Sequence, residues 1–556
     1  MNMNSKYVTK SQVAIATLLL TIMLVVIIFF LHEIIISIFP LGDEFALIVS
    51  AQESPINWIL SGYSDYFRVY DEYFVPYTNF LRPIANLLYF AFSFTPDPLS
   101  YQLIFVNYLV HALVCTLIYL FSLSFGNNSK FSLVFAVTAF LAPAFWLTPA
   151  VASPSCALDP LAALLGLLSL YALFKDYKFL GFMCLITAVF TKETALPMMI
   201  VWLFFGVQRR DIKALFFGSL SLVVWILIRT YAFDGSGGTY SFNNFSFTTL
   251  FFRLSSLTSL PLGNFTIDHL KSLIIQREAS IEVIYLLANI AAWFLSLRVF
   301  LDSSSKIWNP RNLLGEKNDL FILFIALIGS IGFYWLIGGS TRFSYLTFTI
   351  WIVAVSATKN SLSRSLLVLL LFISSIVSFP VGVGDISKMQ KYKYEQSRAL
   401  TDFISGNVYE GDTYVFNDFV SGYSQQQYVA NYSGAFGNFY RGNSLDIKSC
   451  LLSETQLIKT DVFSDDSGNR ILQVELPSCA KFSFEGAQVD KLISNIEGVH
   501  ILRNQHIRYE FKDLEITESV LGNPKINFGK HLKIVVSQAV NSLMFDFSTN
   551  SWVNLE

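Results

Sequence analysis

Long apolar runs separated by short polar loops constrain this chain more than any other feature of its sequence. The runs lie near residues 13–38, 99–124, 131–149, 157–174, 179–191, 194–208, 214–232, 282–301, 319–338, 343–358 and 365–384. A helix needs about 20 apolar residues to cross a bilayer. Charged residues make up only 14% of the chain, whereas soluble domains contain about 25%. Residues 1–384 are therefore expected to form a polytopic α-helical membrane domain with about eleven transmembrane helices.

Shorter segments refine this topology. Residues 83–94 and 246–262 fall short of a full span and are expected to form re-entrant or interfacial helices. The runs 179–191 and 194–208 are also short, which predicts a tight turn at the membrane surface between them. The first run is about twice as long as the apolar region of a signal peptide and lacks a small-residue cleavage site, so we expect a retained anchor.

Lysine and arginine in the short loops predict the orientation of the helices, because loops rich in these residues stay in the cytoplasm. With the N-terminus in the cytoplasm, the basic loops on that side carry Lys130; Lys175 and Lys178; Arg209, Arg210 and Lys213; Lys306, Arg311 and Lys317; Lys359 and Arg364. The first long loop, residues 39–98, and residues 385–556 then lie on the opposite, extracytoplasmic side.

The C-terminal residues 385–556 are more charged and less apolar than the rest of the chain. They contain alternating stretches at Thr413–Phe416 and Arg470–Leu476, near turn signals at Gly411-Asp412 and Ser467-Gly468. A segment of this length is a normal domain size. We expect a soluble extracytoplasmic domain that is α/β or β-rich.

The composition also limits the partners of the chain. A net charge of −2 favours neither nucleic acid nor an acidic partner. The sequence has no His-x-x-x-His or Cys-x-x-Cys motif, so no metal ion is expected. Cys450 and Cys479 could form a disulfide in an oxidising compartment, but the sequence leaves their pairing open.

Two adjacent acids, Asp43 and Glu44, follow the first apolar run on the predicted extracytoplasmic face. Helix packing at a bilayer surface does not require two acids side by side. A functional interpretation makes them a catalytic base or a binding carboxylate. The alternative is a solvated cap, because Gly42-Asp43 could begin an interfacial helix.

Cations are few on the extracytoplasmic face, and those that remain are candidates for binding an anion. Lys192 and Glu193 form a charged pair in the predicted turn, where an ion pair at the membrane edge is costly and usually functional. Arg342 follows Gly338-Gly339, and its guanidinium suits a phosphate. Arg82 stands directly before Pro83. The alternative for these cations is contact with lipid headgroups or a self-paired surface turn.

Asn107 and His111 are four residues apart and share one face of a predicted helix. Such a pair favours a buried, hydrogen-bonded contact over a catalytic role. Asp159-Pro160 stands at the start of an apolar run and is interpreted as the beginning of a helix.

In chain order, these motifs resemble those of GT-C-type integral membrane glycosyltransferases, in particular protein O-mannosyltransferases and bacterial polyprenyl-phosphate-sugar-dependent relatives. The motifs are Gly42-Asp43-Glu44, Leu81-Arg82-Pro83, Asn107 with His111, Thr191-Lys192-Glu193 with Pro197, and Thr341-Arg342-Phe343. The resemblance covers about residues 13–384. The C-terminal domain differs from the modules of those families, which leaves the acceptor open.

The resemblance implies transfer of a sugar from a polyprenyl-phosphate donor to an acceptor hydroxyl on the extracytoplasmic face. In this scheme Asp43 is the base and Glu44 orients it or binds the acceptor. No cofactor is implied, because the lipid-phosphate sugar is itself a substrate. The acceptor is expected to be an O-antigen or another surface glycan, and the location the periplasmic side of a bacterial inner membrane.

The same resemblance implies roles for the cations and their neighbours. Arg342 and Lys192 would hold the donor phosphate, and Arg82 is a third candidate. Glu193 would pair with Lys192 and fix its position. Asn107 and His111 are expected to support the site without reacting. Membrane lipid is the remaining partner.

Other classes of protein also have many apolar runs. A polymerase or ligase of lipid-linked glycans would centre on Arg-rich outer loops late in the chain, whereas the acids here come early. A transporter or flippase would show internal repeats and charges near the bilayer midplane, but the charges here cluster at one surface. A receptor or assembly factor would act through its outer domain alone. Transfer of a radiolabelled sugar distinguishes an enzyme from the non-enzyme classes.

Overall fold

The computed structural model describes most of the predicted helical region and ten short strands. The described residues are 10–37, 82–93, 101–142, 158–233, 280–303, 319–336, 345–358, 361–377, 379, 414–417, 460–464, 470–475, 500–503, 507–511, 515–518, 524–527, 531–536, 541–546 and 551–554. The described helices belong to one compact unit, and the described strands belong to a second. The predicted boundary at residue 384 lies outside the described residues, as do segment 246–262, Cys450 and Cys479.

Each apolar run contains a helix. The helices are α1 (Lys10–Ser37), α2 (Pro83–Ser93), α3 (Tyr101–Ser124), α4 (Ser129–Leu141), α5 (Leu158–Phe174), α6 (Lys178–Thr191), α7 (Pro197–Arg209), α8 (Ile212–Phe233), α9 (Ser280–Asp302), α10 (Asp319–Leu336), α11 (Tyr345–Ala357) and α12 (Leu362–Val377). Among the described residues, the stretches Ser11–Phe29 and Phe105–Ser124 have the length and hydropathy needed to cross a membrane. That finding concerns length and composition only.

Local chemistry sets several helix boundaries. The Asn128 side chain accepts a hydrogen bond from the Phe131 N–H at 2.8 Å and caps α4. Pro197 occupies the first turn of α7, where its missing N–H costs nothing. Arg210 ends α7 in the left-handed conformation, with φ of 50°. The Asp211 carboxylate then accepts hydrogen bonds from two backbone N–H groups at the start of α8.

Helix α11 lies at the centre of the helical unit, because every residue from Tyr345 to Ala357 is buried. It packs against α3, α4, α5, α9 and α10. Helices α3 and α5 also contact each other. Around this centre, α6 packs on α5 and α8, and α7 packs on α8 and α5. The core therefore consists mainly of α3, α5 and α11.

The peripheral helices expose large apolar side chains. Phe29 on α1 is 78% exposed, Ile212 on α8 is 80% exposed, and Phe294 on α9 is 70% exposed. Soluble monomers seldom expose contiguous apolar patches of more than a few hundred Å². The helical unit is thus apolar on its outside as well as in its core.

Ion pairs and hydrogen bonds bring the predicted cytoplasmic loops together. Lys178 contacts Asp211 at 2.7 Å, which joins the α5–α6 loop to the α7–α8 loop. Arg209 pairs with Asp319 at the start of α10. Arg364 donates a hydrogen bond to the Asn127 side chain at 3.0 Å, which joins the α11–α12 and α3–α4 loops. We call this end of the helical unit the basic end.

The second unit is built from strands β1 (Tyr414–Asn417), β2 (Thr460–Ser464), β3 (Arg470–Glu475), β4 (His500–Arg503), β5 (Ile507–Phe511), β6 (Glu515–Glu518), β7 (Pro524–Asn527), β8 (His531–Val536), β9 (Asn541–Asp546) and β10 (Ser551–Asn554). A five-stranded antiparallel sheet has the order β2-β3-β8-β5-β4. In a second sheet, β9 pairs with β1 in parallel and with β10 in antiparallel fashion, while β6 and β7 pair separately.

Two of these strands lie where the sequence alternates. The stretch at Thr413–Phe416 overlaps β1, and the stretch at Arg470–Leu476 overlaps β3. Strand β2 pairs antiparallel with β3, from Thr460 opposite Val474 to Ser464 opposite Arg470. The turn signal Ser467-Gly468 lies between these two strands in the chain, as expected for a hairpin.

Close packing of α7 on α8 yields a stability prediction. A Cβ atom on Gly206 would lie 2.6 Å from Leu215 Cγ and 2.8 Å from its backbone N. We expect Gly206→Ala to destabilise the protein by about 1–3 kcal/mol, because a backbone atom cannot move aside as a side chain does. Thermal unfolding of the purified chain in detergent measures this loss.

Gly332 in α10 is the matched control, because a Cβ atom there would meet nothing within 4 Å. Gly332→Ala should be neutral or should raise stability by up to about 1 kcal/mol, the helix-propensity difference between the two residues. Equal unfolding temperatures for the two variants would contradict the close contact between α7 and α8.

Candidate functional site

Four charged side chains meet at the end of the helical unit opposite the basic end. Arg82 directly precedes α2, Asp159 lies in the first turn of α5, and Lys192 and Glu193 lie between α6 and α7. Helix α5 rises about 1.5 Å per residue, so Asp159 and Lys175 at its two ends are about 24 Å apart. We call this group of four the charge cluster.

The break between α6 and α7 positions two members of the charge cluster. Lys192 ends α6 in an extended conformation, with φ of −159° and ψ of 141°. A single 3-10 turn, Glu193–Ala195, follows before Pro197 begins α7. The sequence predicts a tight turn here, and the structure contains one. The turn presents an ammonium group and a carboxylate from consecutive residues.

Arg82 and Glu193 form one ion pair of the cluster. Arg82 Nη2 donates to Glu193 Oε2 at 2.8 Å, and Nε donates to the same oxygen at 3.0 Å and to Oε1 at 3.2 Å. The two side chains are 7% and 14% exposed. Bonds from two guanidinium nitrogens to one carboxylate fix the orientation of both groups. This contact connects the start of α2 to the turn after α6.

Lys192 and Asp159 form the second ion pair. Lys192 Nζ donates to Asp159 Oδ2 at 2.5 Å, and the two side chains are only 6% and 2% exposed. Transfer of either charge from water into such a site is costly unless a partner compensates it. Asp159 also lies near the positive end of the α5 dipole, which favours its charge. The pair therefore connects the start of α5 to the end of α6.

These pairings correct one prediction. Glu193 was expected to pair with Lys192, but the structure pairs Glu193 with Arg82 and Lys192 with Asp159. The physical reason is that helix packing places Arg82 beside Glu193 and Asp159 beside Lys192. Asp159 does lie in a helix start, as its sequence indicates, but sequence reasoning missed its role as the partner of Lys192. The sequence signal that could have revealed this role was the acid itself, since Asp159 stands at the start of an otherwise apolar run.

The ion pair changes the acidity of Glu193. Burial by itself would raise the pKa of this carboxyl, but the charge of Arg82, its hydrogen bonds and the nearby charge of Lys192 outweigh burial. The pKa of Glu193 therefore lies below its ordinary value of 4.5. Glu193 is ionised at neutral pH and remains bound to Arg82.

His111 supports the start of α11 next to the cluster. His111 Nδ1 lies 2.6 Å from the Tyr345 hydroxyl, and Nε2 lies 3.2 Å from the Phe140 carbonyl oxygen. A carbonyl oxygen only accepts hydrogen bonds, so Nε2 carries the proton and Nδ1 accepts from the Tyr345 O–H. His111 and Tyr345 are both buried. The spacing of Asn107 and His111 favoured a buried contact, and both residues are fully buried on α3.

The remaining predicted site residues fall outside the described part of the chain. Asp43, Glu44 and Arg342 are not among the described residues. Arg342 precedes Tyr345, the partner of His111, by three positions in the sequence. Within the described ranges, no group of three or more His, Cys, Asp or Glu side chains could hold a metal ion. The four charges of the cluster sum to zero at neutral pH.

Comparisons of the chain with protein-family models, with curated proteins and with solved structures gave no match. The distinguishing feature of the candidate site is the meeting of two cations and two acids from separate parts of the chain.

The buried pair of Lys192 and Asp159 leads to a prediction about stability. Asp159→Asn should destabilise the protein by about 3–5 kcal/mol, because it removes the buried anion that Lys192 binds. The double variant Asp159→Asn/Lys192→Met should recover most of this loss, since it removes both charges. Thermal unfolding of the wild type and of both variants in detergent measures the loss and its recovery. A double variant no more stable than Asp159→Asn would contradict the coupling of these two side chains.

The lowered pKa of Glu193 leads to a pH-dependent prediction. Since the folded pKa lies below 4.5, ionised Glu193 contributes stability above about pH 4.5, and this contribution is lost as the pH falls through the folded pKa. The difference in unfolding temperature between wild type and Glu193→Gln should therefore shrink as the pH falls below about 4.5. Unfolding curves from neutral to acidic pH test this. A difference independent of pH would show that Glu193 stabilises through its shape alone.

Proposed function

We propose that this chain is a polytopic membrane glycosyltransferase of the GT-C type. It would transfer a sugar from a polyprenyl-phosphate donor to an acceptor hydroxyl on the extracytoplasmic face. The observation that carries the proposal is the charge cluster, in which Arg82 and Lys192 meet at the end opposite the basic loops. Cations at a headgroup surface can bind the phosphate of a lipid donor.

Two features of the helical unit support placement in a membrane. The outer helices expose large apolar side chains such as Phe29, Ile212 and Phe294, and a lipid environment would cover them. The loops that carry Lys178, Arg209 and Arg364 meet at one end, which fits the concentration of basic residues on the cytoplasmic side. The cluster would then face the extracytoplasmic side, as would residues 385–556.

The chemistry of the donor suits this set of residues. Each cation of the cluster is held by a carboxylate, so a phosphate oxygen would share Lys192 with Asp159 and Arg82 with Glu193. An ammonium has three N–H donors and a guanidinium has five, which permits such sharing. Because the four described charges balance, the net attraction for phosphate would come from Arg342.

Transfer would require one base. Asp43 would take the proton of the acceptor hydroxyl as its oxygen forms a bond to the anomeric carbon. The bond from that carbon to the donor phosphate would break, and the lipid phosphate would leave with the electron pair. A phosphate leaves without protonation, whereas glycosidases use a second carboxyl to protonate the leaving oxygen. Cations near the phosphate would stabilise the charge that develops on it.

Supporting groups would position these reactants. Glu44 would orient Asp43 or bind the acceptor. His111 and Tyr345 would hold the start of α11, three residues after Arg342. The acceptor would be an O-antigen or another surface glycan at the periplasmic face of a bacterial inner membrane. The scheme uses neither metal nor cofactor.

Sugar transfer in vitro tests this proposal. Membranes that contain the chain would be incubated with a panel of radiolabelled polyprenyl-phosphate sugars and with surface glycan from cells that lack the gene. Asp43→Asn should lower the rate by about 10²–10⁴, the usual effect of removing a base. Arg342→Ala should mainly raise the KM for the donor, because it removes a phosphate contact.

Lys213→Ala is the matched control, since Lys213 is an exposed cation at the basic end and should not affect transfer. Membrane insertion of every variant would be checked by the yield of protein. Near-normal transfer by Asp43→Asn would exclude Asp43 as the base. Failure of the wild type to transfer any sugar of the panel would contradict the proposed function.

A further inference from the structure

The helices of the helical unit differ in length. Helix α3 has 24 residues, α8 has 22 and α9 has 23. At about 1.5 Å per residue these helices are about 33–36 Å long, which is enough to cross the hydrocarbon core of a bilayer, about 30 Å thick. Helices α6 and α7 have only 14 and 13 residues and are about 20–21 Å long. We call α6 and α7 the short pair.

The short pair begins and ends at the basic end. Lys178, the first residue of α6, contacts Asp211 at 2.7 Å, two positions after α7 ends at Arg209. Between the two helices, the chain turns at Lys192 and Glu193, which belong to the charge cluster. Helix α8 begins beside the same ends, packs on both helices of the short pair and is about 12 Å longer than either. The missing length of the short pair therefore lies at the charge cluster, and any tilt of the helices adds to it.

Both helices of the short pair have an exposed apolar face. Phe179 and Met183 are exposed on α6, and Ile200, Phe204 and Val207 are exposed on α7. The three residues on α7 are four and three positions apart, so they share one side of the helix. Bilayer lipid would cover this face, but the apolar height from one end of the short pair to the other is about 9 Å less than the hydrocarbon core.

We propose that the short pair thins the bilayer beside it, so that the extracytoplasmic headgroups descend to the level of the charge cluster. This inference rests on the membrane placement that the proposed function assumes. A bilayer of full thickness would place the charged turn of the short pair about 9 Å below the headgroups. Charged groups at that depth are costly, and a bilayer adapts to a short apolar face by thinning. The thinned leaflet brings a lipid phosphate to the level of Arg82 and Lys192.

Spin labels on two lipid-facing residues measure the thickness of the bilayer beside the short pair. Ile200→Cys on α7 and Phe294→Cys on α9 are made in the full chain, with its five native cysteines replaced by alanine. Each variant carries a nitroxide and is reconstituted in nanodiscs of dioleoyl phosphatidylcholine. Accessibility of the label to oxygen and to a water-soluble nickel chelate gives its depth. An unfolding temperature close to that of the wild type confirms that each variant is folded.

The label at Ile200 should lie about 7 Å from the nearest headgroup surface, because it is about 14 Å from the basic end and the short pair is about 21 Å high. A bilayer of full thickness would place it about 14 Å deep.

Phe294 is the matched control, because it lies about 12 Å from the basic end on a helix that is long enough to span. That helix ends at Asp302, which accepts a hydrogen bond from Ser363 next to Arg364. Ile200 and Phe294 are 49% and 70% exposed. The label at Phe294 should lie about 12 Å deep. Thr187→Cys, at the same height on α6 as Ile200 on α7, is a second variant if Ile200→Cys does not fold.

The outcomes separate this inference from the proposed function. A label at Ile200 that lies as deep as the label at Phe294 would overturn the thinning while leaving sugar transfer untouched. Free access of the nickel chelate to both labels would show that the helices are not embedded in lipid, and would overturn the membrane placement as well. A shallow label at Ile200 beside a deep label at Phe294 would support the thinning, whether or not the tested sugars are transferred.

Discussion

The cost of burying charge governs the arrangement of the helical unit. Lys192 and Asp159 are almost completely shielded from solvent and must neutralise each other at 2.5 Å. That requirement fixes the end of α6 against the start of α5. Arg82 and Glu193 impose a similar requirement on α2 and the turn after α6. The four side chains thus determine which helix ends meet, and they do so within a mostly apolar region.

The same helices carry a different set of charges at their other ends. Lys178 bridges the loops that follow α5 and α7, and Arg209 reaches Asp319 at the start of α10. Both sets consist of ion pairs, but the described basic end also carries exposed cations such as Arg210 and Lys213. The charge cluster instead balances its cations with buried acids. A phosphate bound there would therefore have to share each cation with the acid that already holds it.

Much of the helical framework could be predicted, because helix formation depends on local sequence. Runs of apolar residues, the Asn128 cap and the proline at position 197 determine helices that occur close to their predicted positions. The proposed role of His111 as a supporting residue fits its burial and its bond to Tyr345. The partner of Glu193 was predicted wrongly, and Asp159 was not recognised as part of the site. Both errors concern contacts between segments that are distant in sequence.

By itself, the sequence determined where the helices and two of the strands form, which loops are basic, and which cations stand apart from those loops. These properties depend on neighbouring residues and on the preference of each side chain for water or for an apolar environment. Only the tertiary structure decided that Arg82 holds Glu193 across 111 positions and that Asp159 holds Lys192 across 33. The physical reason is that a buried charge takes the partner that helix packing places beside it.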